Sequence, residues 1–177
     1  MVRLKSEIAQ QRPFTSLHEE ALLNLARTND CLHRAFYTHC KHFGVTSTQY
    51  DVLRILRGSN PKGLTCSDIG DRMVTADPDI TRLLRRLAAL GFIRQKRDAA
   101  DRRVVRTFIS SKGLELLAQM DPIIAKLPVE LLGHIDRIGL QQLIGLLEQA
   151  RLHCGADAAA ASCDGKNAAE LCVETRA

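Results

Sequence analysis

I-T-R-L-L-R-R-L-A-A-L-G-F-I-R-Q-K-R-D-A-A-D-R-R-V-V-R-T-F-I, residues 80 to 109, changes its hydrophobic period part-way along. At about 100° per residue, Ile80, Leu83, Leu84, Leu87 and Leu90 fall in one sector of a helix. Thr81, Arg82, Arg85, Arg86 and Ala89 fall on the opposite side. Gly91 then stops the helix. Beyond it, F-I-R-Q-K-R (92 to 97) and V-V-R-T-F-I (104 to 109) are short runs with strand character. The charged run between them overlaps both and reads as the tip of a hairpin.

Upstream, T-A-D-P-D supplies a start for this helix, with Asp77 as N-cap and Pro78 at the first helical position. Thr65 caps a short helix stapled by Leu64 and Ile69, and G-S-N-P-K-G (58 to 63) is the turn before it. Another helix starts at Thr46, with Gln49 at the reciprocal capping position and Val45 against Tyr50, and runs to Gly58. The first helix begins at a Ser16–Glu19 capping box and continues through Leu22, Leu25, Asn29, Leu32, Phe36, Cys40 and Phe43 to Gly44. It is too long for a small domain to cover, so it should pack on something larger, such as a second subunit.

Downstream, Ser110 caps a fifth helix with apolar positions from Leu114 to Ile124, bent or broken by Pro122 and Pro128. A sixth is expected over Pro128 to His153. From Cys154 the chain is Ala-rich with little periodicity, a weak helix or a disordered tail. The fold class is therefore mainly α with a small β-hairpin: a winged helix-turn-helix with additional helices on both sides.

Charge is concentrated on the same stretch. From Arg82 to Arg106 there are nine basic residues and two acids, Asp98 and Asp101, which gives +7 against +5 for the whole chain. Helix residues 80 to 90 carry three arginines and no acid. An ordinary solvated helix face mixes signs. An arginine face beside a basic hairpin suits phosphate binding, with arginine able to pair with guanine and threonine to touch the thymine methyl.

The resemblance becomes specific at four segments: T-S-T-Q-Y-D-V-L, D-I-T-R-L-L-R-R-L-A-A-L-G-F-I, D-A-A-D-R-R-V-V-R and I-S-S-K-G. Together they resemble the MarR family of bacterial transcriptional regulators, over about residues 16 to 153. The D-x-R element of the wing, Asp101-Arg102-Arg103, is the most characteristic piece. The resemblance implies a DNA-binding winged helix-turn-helix domain over 45–110 and a helical dimerisation region over 16–44 and 111–153. It leaves the tail, 154–177, outside. It further implies a homodimer that reads successive major grooves of a near-palindromic site in double-stranded DNA. Thr81, Arg82, Arg85 and Arg86 would serve the major groove. Arg102 would contact phosphate and Arg103 the minor groove, with Asp101 orienting Arg103 through an ion pair. Asp98 has no assigned role beyond shaping the turn. Repression relieved by a small aromatic or phenolic effector is the commoner family mode, and His33, Tyr37 and Arg54 are the polar candidates for that pocket.

Other readings are weaker. Control by cysteine oxidation is the alternative mode, with Cys31 and Cys66 as candidates, the latter near a helix start. Cys154, Cys163 and Cys172 recur every nine residues, which alternates helix faces. Cys31 and His42 stand about 16 Å apart along a helix at 1.5 Å per residue, too far to share one ion; only His39 and His42 could bind one jointly, with further ligands from elsewhere, and no metal is expected. G-S-N-P-K-G-L-T has Leu64 where a phosphate loop needs lysine. No nucleophile–base pair has usable spacing, so no enzyme and no cofactor are expected. A winged helix that binds only protein would not need the arginine face. With 45% hydrophobic residues, no secretory signal and no apolar run of membrane-spanning length, the expectation is a soluble cytoplasmic chain with no membrane partner.

Overall fold

A computed structural model describes residues 3–75 and 79–152. Asp77, Pro78, His153 and the three cysteines of the tail lie outside the described residues. The chain falls into two compact units, one through Leu131 and one from Leu132.

In the first unit α1 (Leu4–Glu7) precedes the long α2 (Leu17–His42). The short helices α3 (Ser47–Gly58), α4 (Cys66–Gly70) and α5 (Ile80–Ala89) follow. Strands β1 (Ile93–Arg97) and β2 (Val105–Ile109) form an antiparallel hairpin, and α6 (Ser111–Ile124) and α7 (Leu127–Leu132) come after it. The expected class is the observed one, helical with a small wing.

Capping explains the boundaries. Thr46–Gln49 and Thr65–Asp68 are reciprocal capping boxes, and Ser110 accepts the Gly113 N–H at the start of α6. Ser16 accepts the Glu19 N–H, but Glu19 does not return the bond to Ser16. Its carboxylate instead accepts from the N–H and hydroxyl of Thr15 at 2.6 and 2.7 Å. The expected box is thus half formed, and the returning bond ties down the preceding residue. Gly44 and Gly91 have positive φ, 73° and 77°, and close α2 and α5 with the paired C-terminal bonds that only a left-handed residue allows.

Pro122 does not break its helix, and one expectation about length changes. Pro122 lies within α6, which continues to Ile124 before the chain turns. The carbonyl it leaves without an intrahelical donor belongs to the exposed Ala118, where water can serve it. The helix expected over Pro128 to His153 is two helices, α7 and, in the second unit, α8 (Arg137–Arg151). Asp136 interrupts it by accepting the Gly139 N–H at 2.8 Å, a local bond that competes with helix continuation.

The core of the first unit gathers Cys40 of α2, Leu53 and Leu56 of α3, Ile69 of α4, Leu87 of α5, and Leu117 and Met120 of α6, all fully buried. Each such aliphatic side chain contributes about 1.5–3 kcal/mol on burial. Leu90, expected on the apolar stripe of α5, is instead 42% exposed because it is the C-cap residue where the chain leaves the core.

Candidate nucleic-acid interface

The α5 helix buries Leu83, Leu84 and Leu87 and turns Thr81, Arg82, Arg85 and Arg86 to solvent. The expected division of faces follows directly from the sequence period. Its N-cap is Asp79, whose side chain accepts the Arg82 N–H at 3.0 Å; Asp77 had been expected there. Asp79 also approaches the Arg82 Nε at 2.8 Å, so the first arginine of the helix is paired with the capping residue. Among the described residues no acidic side chain pairs with Arg85, Arg86, Arg102 or Arg103.

The other end of α5 is fixed to the start of α6. Ser110 donates to the Gly91 carbonyl at 2.7 Å, and Lys112 donates to the Leu90 carbonyl at 2.9 Å while sitting over the Phe92 ring. Gly113 makes the close approach possible. A Cβ there would collide with the Phe92 carbonyl and come within 2.8 Å of Ile109. The S-S-K-G segment thereby clamps the exit of the arginine helix to the base of the hairpin.

The hairpin register pairs Ile93 with Ile109, Arg94 with Phe108, Gln95 with Thr107, Lys96 with Arg106 and Arg97 with Val105. Leu64 adds a single antiparallel bridge to Thr107, with bonds of 2.7 and 3.0 Å, which ties the wing to the segment leading into α4. Thr107 is almost fully buried, and its hydroxyl is met by the Gln95 amide.

The tip is organised by its two aspartates, but not as the sequence suggested. Asp101 accepts the backbone N–H of Arg103 at 2.9 Å and makes no ion pair with its guanidinium. An Asp two residues before its partner satisfies the backbone of the turn more readily than it reaches a long outward side chain. The ion pair belongs to Asp98, whose Oδ2 accepts from the Nε of Arg106. Its Oδ1 accepts the backbone N–H groups of Ala100 and Asp101. The Arg106 hydrogen bond, then these two backbone bonds, hold the Asp98 carboxyl below the usual aspartate range. Arg106 is correspondingly raised, first by that bond and further by the field of Asp98 and of Asp68 in α4.

The expected effector residues are split. His33 and Arg54 both line a cavity of about 350 Å³, with Phe36, Tyr50, Asp51, Met73 and Ile124. Tyr37 does not line it, and instead stacks beside His33 with ring centroids 6.4 Å apart. Asp51, which sequence reasoning missed, accepts from Arg54 at 3.2 Å and from the Val74 N–H at 3.1 Å. The second bond fastens the segment after α4, and the sequence carries no signal for it.

Cys31 and Cys66 are exposed free thiols, on α2 and in the first turn of α4. Cys40 is buried, and burial pushes its thiol up to about 11, so it is protonated at neutral pH. Among the described residues no group of three or more His, Cys, Asp or Glu side chains could hold a metal ion, and no helix is long and apolar enough to cross a membrane.

A family model described as MarR family matches residues 43–104. Over 88 residues the chain is 38% identical to the HTH-type transcriptional regulator TtmR of Methylorubrum extorquens, a match spanning 50% of this chain and 44% of the relative's length. A MarR transcription factor from Planctomyces limnophilus is 36% identical, with a TM-score of 0.59 over 77% of this chain and 99% of its own. The fold is also similar to Bordetella bronchiseptica BpsR, whose DNA binding is regulated by 6-hydroxynicotinic acid. That structure is 20% identical, with a TM-score of 0.68 over 78% of this chain and 97% of its own.

Proposed function

The chain belongs to the MarR family of transcriptional regulators, and from that premise we propose that it is a homodimeric repressor that binds a near-palindromic duplex and releases it when a small aromatic effector enters the His33–Arg54 cavity. One observation carries the DNA reading. Arg85 and Arg86 stand exposed on a helix face whose opposite side is locked into the core, and exposed Arg102 and Arg103 stand on the hairpin that follows. Guanidinium groups without local acidic partners are available to phosphates and guanine edges.

The dimer is supported by apolar surface. Leu17, Leu22 and Leu25 of α2 are 40% exposed or more, and in α8, considered by itself, Ile138, Ile144 and Leu146 are more than half exposed. Such exposed apolar side chains suit burial against another copy. The effector reading is supported by the cavity's chemistry: an aromatic and aliphatic lining with a few polar groups, including His33, Ser47 and Arg54.

The test is selection of duplexes from a random-sequence pool by the full chain. An enriched inverted repeat, bound with an affinity that falls steeply as salt rises, is the expected result. Equal retention of all sequences, or binding indifferent to salt, would overturn the reading.

A further inference from the structure

Lys96 and Arg106 face each other directly across the hairpin, a like-charge pair that destabilises a two-stranded ribbon. Asp98 lies on the same face as both. Its backbone N–H donates to Val104 O at 2.9 Å, which places it one step past the last strand pair and diagonal to Arg106. From there its two oxygens divide the work. One gathers the N–H groups of Ala100 and Asp101 at the tip, and the other holds the guanidinium of Arg106 on the returning strand. The carboxylate is only 19% exposed, against 38% for Arg106, so the pair is partly shielded from solvent. Arg106 is in turn within the field of Asp68, at the start of α4.

We infer that Asp98 is a positioning residue for nucleic-acid binding, one that fixes the wing tip through Arg106 so that Arg102 and Arg103 are presented together. The inference rests on the DNA-binding reading above. It removes Arg106 from the set of cations available to phosphate. It also makes a negative charge in a basic wing favourable to binding a polyanion.

That last point separates positioning from simple charge. Removing an acid beside DNA should tighten binding and steepen its salt dependence if charge alone matters. If Asp98 positions the tip, Asp98→Asn should weaken binding by roughly tenfold and flatten the salt dependence, although the protein becomes more positive. The measurement is a salt titration of wild type and variant on the duplex enriched by wild type, with thermal denaturation alongside. Equal or tighter binding by Asp98→Asn would overturn the inference while leaving the DNA-binding reading intact. Failure of wild type to bind any duplex would overturn both. Arg106→Lys keeps the charge but loses the Nε donor, so it carries the same test should Asp98→Asn not fold. Weaker binding by this variant supports positioning, and unchanged binding overturns it.

Discussion

Arg82 is held by Asp79 three residues earlier, with 2.8 Å between Nε and Oδ2, whereas Arg85 one turn further along α5 has no acidic partner among the described residues. The two arginines share a face and differ in what already occupies them. A guanidinium committed to a carboxylate must give up that bond to reach a base edge.

Arg85→Ala should therefore relax base preference more than Arg82→Ala does. Each good arginine–guanine pair discriminates by about 1–3 kcal/mol. Site selection with both variants checks this. Unchanged preference in Arg85→Ala would count against the orientation assigned to α5.

Arg103→Ala should weaken duplex binding and lower the salt slope by about one, as expected when one cation is withdrawn from the minor groove between the phosphate strands. Arg103 is exposed and its structural bond uses its backbone N–H, so the melting temperature should stay within experimental error of wild type. Wild-type affinity across several salt concentrations would show that the wing does not meet DNA.

Asp98 also gives an acid-side signature. Its carboxyl is held below the ordinary range, chiefly by Arg106. The stability it contributes is then complete above the unfolded aspartate value of about 3.9 and is lost as pH falls through the lowered folded value. Thermal denaturation of wild type and Asp98→Asn from neutral pH downward should show a difference that closes only in that acidic window. A difference that stayed constant down to the lowest pH would mean the charge of Asp98 is irrelevant to the fold.

Gly113→Ala should destabilise by about 1–3 kcal/mol, the usual cost of forcing atoms into a filled site. The new methyl meets the backbone of Phe92 and the side chain of Ile109. The helix-propensity gain of about 1 kcal/mol does not offset a backbone collision. Gly58→Ala is the control, since nothing lies within 4 Å of its Cβ position. Urea midpoints that moved equally for both would refute the close-packing account.

Hydroxylated aromatic acids and phenols should raise the melting temperature in proportion to the logarithm of their concentration. Phe36→Ala should abolish that shift and Tyr37→Phe should leave it, because Phe36 lines the cavity and Tyr37 does not. A shift that survived Phe36→Ala would place the ligand elsewhere.

The order of helices, the hairpin and the arginine face were legible in the residues because each depends on neighbours within a turn or two. Leu83, Leu84 and Leu87 declare a helix face by spacing alone, and Thr46, Thr65, Ser110, Gly44 and Gly91 mark boundaries by side chain or by φ. Where two local signals competed, the sequence could mislead. Asp77-Pro78 is a stronger N-terminal signature than Asp79, yet Asp79 makes the cap. Proximity within D-A-A-D-R-R pointed to an Asp101–Arg103 ion pair, whereas Asp101 serves a backbone N–H.

The tertiary structure alone decided the relationships that cross the chain. Asp98 meets Arg106 only because the hairpin register makes them diagonal neighbours, and a slip of one residue would put them on opposite faces. Leu64 reaches Thr107, and Gly113 passes under Phe92, only once α4, the wing and α6 have packed. His33 and Arg54 share a cavity because α2 and α3 converge, while Tyr37, one turn along α2 from His33, stacks beside it without lining the cavity. Periodicity fixes which face of an element is buried; what that face meets is set by long-range packing, which no local spacing encodes.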